Sequence, residues 1–128
     1  MISQITKGVK ISVETHYEGC VKNNNRFKHA FSYFISIENT SHDSIFLKSR
    51  YWEIFDALNP KETVVGEGVV GLKPTIKPGE IFRYQSGVVV NTPFASMKGY
   101  FRMFNLTSTS EFKVYVPSFK LNPDFVSN

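Results

Sequence analysis

The sequence predicts an all-β sandwich of about seven or eight short antiparallel strands, and three observations carry that prediction. Aromatic residues make up 15% of the chain, with 12 Phe, 6 Tyr and 1 Trp, and such side chains suit pleated, half-buried surfaces better than helices. Period-2 alternation recurs along the chain, whereas apolar residues at helical spacing are hard to find. Turn-forming Gly, Pro, Asn and Ser clusters separate these stretches at short intervals, as strands of a sandwich require.

The first strand is expected from Val9 to Tyr17, where Val9, Ile11, Val13, Thr15 and Tyr17 share one face and Lys10, Ser12, Glu14 and His16 the other. Glu18 to Asn25 is polar and ends in three asparagines, so it reads as a turn or mobile loop. The longest alternation follows, from Phe27 to about Glu38, with Phe27, His29, Phe31, Tyr33, Ile35 and Ile37 on one face. After a turn at residues 39–43, a third strand runs from Ser44 to about Phe55. Its apolar residues fall on both faces, the pattern of a central or covered strand.

Asn59-Pro60 breaks the chain before a short strand near residues 63–66 and a glycine-rich stretch. Pro78-Gly79 makes a tight turn into Ile81 to Ser86 and Val88 to Val90. Thr92-Pro93 precedes a strand from Met97 to Phe104, and a polar turn leads to the last one, Glu111 to Val116, extended by Phe119 and Leu121.

A chain of 128 residues fits one domain, residues 1–128. With 41% hydrophobic and 20% charged residues, it is too apolar for a disordered chain. Cys20 is the only cysteine, so no internal disulfide can form. No apolar run exceeds three residues, which excludes a spanning helix and predicts no membrane insertion. Residues 1–8 lack the apolar segment of a signal peptide, so a cytoplasmic location is expected. The net charge of +4 raises the question of nucleic acid. Lys98-Gly99-Tyr100-Phe101-Arg102 begins like an RNA-recognition consensus, then fails where Phe101 and Arg102 replace a small residue and an aromatic. The lysines are scattered, and no nucleic-acid partner is expected.

Gly66-Glu67-Gly68-Val69-Val70-Gly71 is a literal G-x-G-x-x-G. A dinucleotide fold needs a helix directly after it, and Pro74 and Pro78 prevent one of useful length. A glycine-rich bulge or loop is the alternative. Gly66, Gly68 and Gly71, with Lys73 close by, still form a candidate anion loop built from backbone N–H groups. His16, His29 and His42 show no zinc spacing with one another or with Cys20, and no metal site is assigned. His29 reads as a hydrogen-bonded core or rim histidine, and Cys20 as part of the flexible loop. No nucleophile elbow and no calcium loop occur, so neither enzymatic activity nor a cofactor is expected.

Several motifs follow one another along the chain: Arg50-Tyr51-Trp52-Glu53-Ile54, the 66–71 glycines followed by Leu72-Lys73-Pro74, Ile76-Lys77-Pro78-Gly79-Glu80, Tyr84-Gln85-Ser86-Gly87, Thr92-Pro93, and Met97-Lys98-Gly99-Tyr100. From about Val9 to about Leu121 the chain resembles the ApaG family. That resemblance implies a single immunoglobulin-like or fibronectin-III-like sandwich with no established enzymatic activity. It further implies a bacterial cytoplasmic protein associated with cobalt and magnesium resistance. Similar domains occur in larger eukaryotic proteins, where they look like protein-interaction modules. Ala95 departs from the family's usual glycine, which bears on the local turn only.

Two functions are therefore expected in competition. The first is a non-enzymatic module that binds another protein, with a homodimer through a sheet edge as one form. Arg50 and Trp52, on one face of the third strand, are its candidate surface; the alternative reading makes Trp52 the core tryptophan. The second is a binder of nucleotide polyphosphates or pyrophosphate, with or without a divalent metal, on the 66–71 loop.

Overall fold

A computed structural model describes residues 1–123; residues 124–128 of the expected 1–128 domain lie outside the described residues. Nine strands are present among the described residues: β1 (Ile2–Thr6), β2 (Val9–Asn23), β3 (Arg26–Asn39), β4 (Ile45–Asp56), β5 (Glu62–Glu67), β6 (Thr75–Ile76), β7 (Ile81–Val90), β8 (Ala95–Asn105) and β9 (Ser110–Leu121). One sheet has the order β1-β2-β3-β7; the other runs β5-β4-β8-β9, with β6 pairing the start of β4. All the pairings are antiparallel. Without β1 and β6 this is the three-on-four arrangement of a fibronectin-III-like sandwich.

The count exceeds the expected seven or eight because two strands leave no alternation to read. β1 is exposed at four of its five positions and is held by backbone pairing to β2. β6 is two residues long.

The larger correction concerns residues 18–25. They form no loop but a β2–β3 hairpin arm whose ladder continues to Asn23↔Arg26. Only Asn24 and Asn25 turn, both with positive φ (51° and 63°), the two-residue geometry that asparagine tolerates and that matches strand twist.

A bulge also resolves the two-faced pattern of β4. Its register with β8 slips between Leu47 and Ser49, which inverts the alternation. Ile45 and Leu47 therefore point the same way as Trp52 and Ile54, all four buried, while Tyr51 goes to the outer face and stacks on Tyr100 at 4.8 Å.

The core lies between the inner faces of the two sheets. Val9, Ile11, Val13, Phe31, Ile35 and Ile37 from one sheet meet Leu47, Trp52, Met97, Phe101, Met103, Val114 and Leu121 from the other. Each such side chain contributes about 1.5–3 kcal/mol by leaving water, and the packing stands without a disulfide, since Cys20 is free. One buried polar residue joins the elements at one end. The Asn39 amide donates to the carbonyls of Asp43 (2.8 Å) and Ile76 (2.9 Å) and accepts from Ser41, so its burial leaves no polar atom unmatched.

Candidate functional site

Trp52 is not a surface residue. Only 3% of it is exposed, and its indole packs edge-on against Tyr33, Phe101 and Phe119 at 5.7–6.1 Å between centroids. The inward face of β4 that carries it also turns Arg50 inward, half-buried. Arg50 serves the glycine loop: its Nη1 donates to the carbonyls of Glu67 and Gly68, both at 2.9 Å.

The loop residues 66–71 come together with Arg50 and Lys73 as a closed structural unit. Gly68 N–H donates to Lys48 O, while Val69 and Leu72 exchange N–H···O bonds at 2.8 Å. A Cβ on Gly68 would sit 2.1 Å from Leu72 O at a φ of +59°, so glycine is needed there for close backbone approach. Lys73 Nζ is paired with Glu67 at 2.9 Å, and that partner holds the Glu67 carboxyl below its ordinary range. Most of the donors that a phosphate would need are thus engaged within the loop.

A different surface stands out at the end of the sandwich where the β4–β5 and β7–β8 loops meet. Asp56, the last residue of β4, ties them: its carboxylate accepts from Asn91 N–H (2.6 Å), Thr92 N–H (3.1 Å) and the Thr92 hydroxyl (2.7 Å). Ala57 N–H adds a bond to Phe94 O at 3.1 Å. On this braced frame Leu58 is 102% exposed, Phe94 60% and Phe55 37%. They line a shallow depression of about 560 Å³ with Lys61 and Lys120 at its rim, and Lys98 lies 5.6 Å over the Phe55 ring.

Leu58 is also strained. The bond from Asn59 N–H to Asp56 O closes a β-turn in which Leu58 has a φ of 70°, a conformation that suits glycine and costs a leucine about 1–2 kcal/mol. The side chain buries nothing in return. Among the described residues Val70 of the glycine loop, with a φ of 42° and 53% exposed, is the other apolar side chain held in left-handed backbone.

A family profile described as ApaG domain matches residues 20–105. The chain belongs to the ApaG family. It is 39% identical over 121 residues to the protein ApaG of Shewanella halifaxensis, covering 94% of this chain and 95% of that one. The protein ApaG of Bradyrhizobium diazoefficiens is 37% identical over 125 residues, covering 97% and 95%. Among solved structures, an X-ray structure of a structural-genomics target superposes with a TM-score of 0.87 at 34% identity, covering 91% of this chain and 88% of the other. A Bordetella pertussis structure described as an ApaA protein gives 0.81 at 30%, with 91% and 94% covered.

The family expected from the motifs is the family found, and those motifs now have structural roles. Within the ApaG domain, Arg50, Trp52, Gly66 and Gly68 are framework residues, and Ala95 begins β8 as a buried residue. No helix among the described residues is long and apolar enough to cross a membrane. Sequence reasoning missed Phe55, Leu58 and Phe94. The only local signal was an apolar residue directly before the Asn59-Pro60 break, where a turn would normally be polar.

Proposed function

We propose that this ApaG domain is a non-enzymatic docking module that works in the cytoplasm and holds a partner protein on the Phe55–Leu58–Phe94 surface. One observation carries the reading: a leucine held in left-handed backbone with its whole side chain in water. Burying such a side chain against a partner gains about 1.5–3 kcal/mol, and the Asp56 brace removes much of the loop-ordering cost that binding otherwise incurs.

The rim supplies the specificity. Lys61 and Lys120 border the apolar centre and Lys98 lies over Phe55. Lys61 and Lys98 share the one carboxylate of Glu53 at 3.6 and 3.9 Å, so the rim keeps a net positive charge, while the Asp56 carboxylate is engaged with the β7–β8 loop. The matching partner is an apolar anchor flanked by acidic residues. Any part in cobalt or magnesium resistance is then exerted through that partner. The phosphate reading of the 66–71 loop is less favoured, because Lys73 is paired with Glu67 and Arg50 Nη1 already donates to the Glu67 and Gly68 carbonyls.

Affinity capture from the native cell tests the proposal with wild type, Leu58→Gly and Phe94→Ala side by side. A protein carrying an acid-flanked apolar segment should be retained by wild type, lost by both variants and weakened by salt. The same bound set on all three baits would overturn it.

A further inference from the structure

We propose that Cys20, with His29 and Tyr17, forms an activated thiol site that takes up anionic low-molecular-weight disulfides as a mixed disulfide. The site exists because of a bulge. The β2–β3 register slips between Tyr17 and Gly19, so the extra residue, Glu18, inverts the alternation. Tyr17 and Cys20, three apart, come to share a face, and Cys20 is paired directly across the ladder with His29.

Three heteroatoms converge there. Tyr17 Oη lies 3.2 Å from Cys20 Sγ and 3.0 Å from His29 Nδ1, and Sγ lies 3.8 Å from that nitrogen. This is a nucleophile, a base and an orienting hydroxyl in mutual reach. The phenol is held protonated, its ionisation pushed up chiefly by its hydrogen bond to Cys20, so it is available as an O–H donor to a thiolate. The thiol itself is exposed, as attack on a ligand in solution requires.

Charge defines the ligand class. On the face of the arm that carries Cys20 and His29 the ladder places Lys22, while Arg26 and Lys28 lie on the opposite face and add to the arm's field at longer range. The arm's single carboxylate, Glu18, accepts from Ser32 Oγ at 2.6 Å. The strand beside β3 contributes Val88, Val89 and Val90 opposite residues 29–31, and none of these ionises. A small disulfide bearing carboxylates is drawn to such an arm.

The step balances without further reagents. The Cys20 proton passes to His29 Nδ1 and the thiolate attacks one sulfur of the disulfide. A Cys20–S–S bond forms as the original S–S bond breaks. The departing thiolate takes the proton from the imidazolium. Cys20 is oxidised to the mixed disulfide, and half of the incoming disulfide is reduced to a free thiol.

Because Cys20 is the only cysteine, intact-mass spectrometry of the whole chain reads the reaction without ambiguity. The probes are glutathione disulfide, which is anionic, and cystamine, which is cationic, each reacted with folded protein and with the chain unfolded in urea. Folded wild type should react with glutathione disulfide at least about tenfold faster than the unfolded chain. His29→Gln, shown by its melting curve to be folded, should fall to the unfolded rate with both probes. Lys22→Glu should slow glutathione disulfide and speed cystamine. The site is overturned if folded wild type reacts no faster than unfolded chain, if folded His29→Gln keeps the wild-type rate, or if a disulfide-linked dimer is the main product.

Discussion

Gly66 and Arg50 occupy one space: a Cβ added at Gly66 would lie 2.7 Å from Arg50 Cζ. The residues face each other across the β4–β5 ladder, and the missing side chain is what lets the guanidinium lie flat and reach the carbonyls of Glu67 and Gly68. Gly66→Ala should push the guanidinium aside and break both bonds, at a cost of about 1–2 kcal/mol, as for hydrogen bonds from a charged donor in a partly solvated site. Arg50→Ala should cost a similar amount. The double variant should be little worse than either single one, because both remove the same interaction. Urea unfolding of the four proteins measures this, and simple additivity would show that the two residues act separately.

Leu58→Gly should leave the domain as stable as wild type or up to about 1 kcal/mol more stable. It relieves the left-handed strain while adding freedom to the unfolded chain. A melting temperature at or above wild type, together with loss of the captured partner, separates docking from folding. A clear fall in melting temperature would mean that Leu58 supports the fold.

Tyr84 carries a buried hydroxyl with no hydrogen-bond partner among the described residues. Burial raises its ionisation well above the ordinary tyrosine value, the nearby Tyr33 adds to the rise, and Arg50 partly opposes it. Because burial raises the folded pKa, ionisation makes no difference to stability below the unfolded value, near 10, and stability falls as pH climbs from there through the folded value, where the unfolded chain ionises first. Absorbance titration should therefore show one tyrosine ionising only as the protein unfolds in alkali. Tyr84→Phe should remove that step and raise stability by about 1 kcal/mol, since an unmatched polar atom no longer has to leave water.

Glu67 has the opposite sign. Its hydrogen bond to Lys73 and then the lysine's charge lower its carboxyl pKa. The favourable effect is present above the unfolded carboxylate value and lost as pH falls through the folded one. Carbon-detected NMR titration should place Glu67 below an ordinary glutamate, and Lys73→Met should return it. Added salt should do part of the same, because the pair is exposed.

Where alternation was long, the sequence was readable. Phe27 to Glu38 became β3 almost unchanged, and the last strand ran through Pro117 to Leu121. Single-residue irregularities were invisible. The slip beside Lys48 made one inner face look like two, and the slip at Glu18 concealed that Cys20 belongs to a strand. β1 was unreadable for a different reason: a strand held by backbone bonds and mostly exposed needs no side-chain pattern.

The sequence by itself determined the sandwich, the absence of an internal disulfide and the family, because periodicity, cysteine count and motif order are properties of the chain alone. Tertiary structure decided what the singled-out residues do. It placed Trp52 in the core and turned Arg50 onto the glycine loop. It gathered Phe55 from the end of β4 with Leu58 and Phe94 from two loops and set Cys20 against His29. Each outcome depends on which way a side chain points after a bulge or a turn, and on which distant loop lies beside it. Burial and exposure follow from those two facts, and neither is written in local sequence.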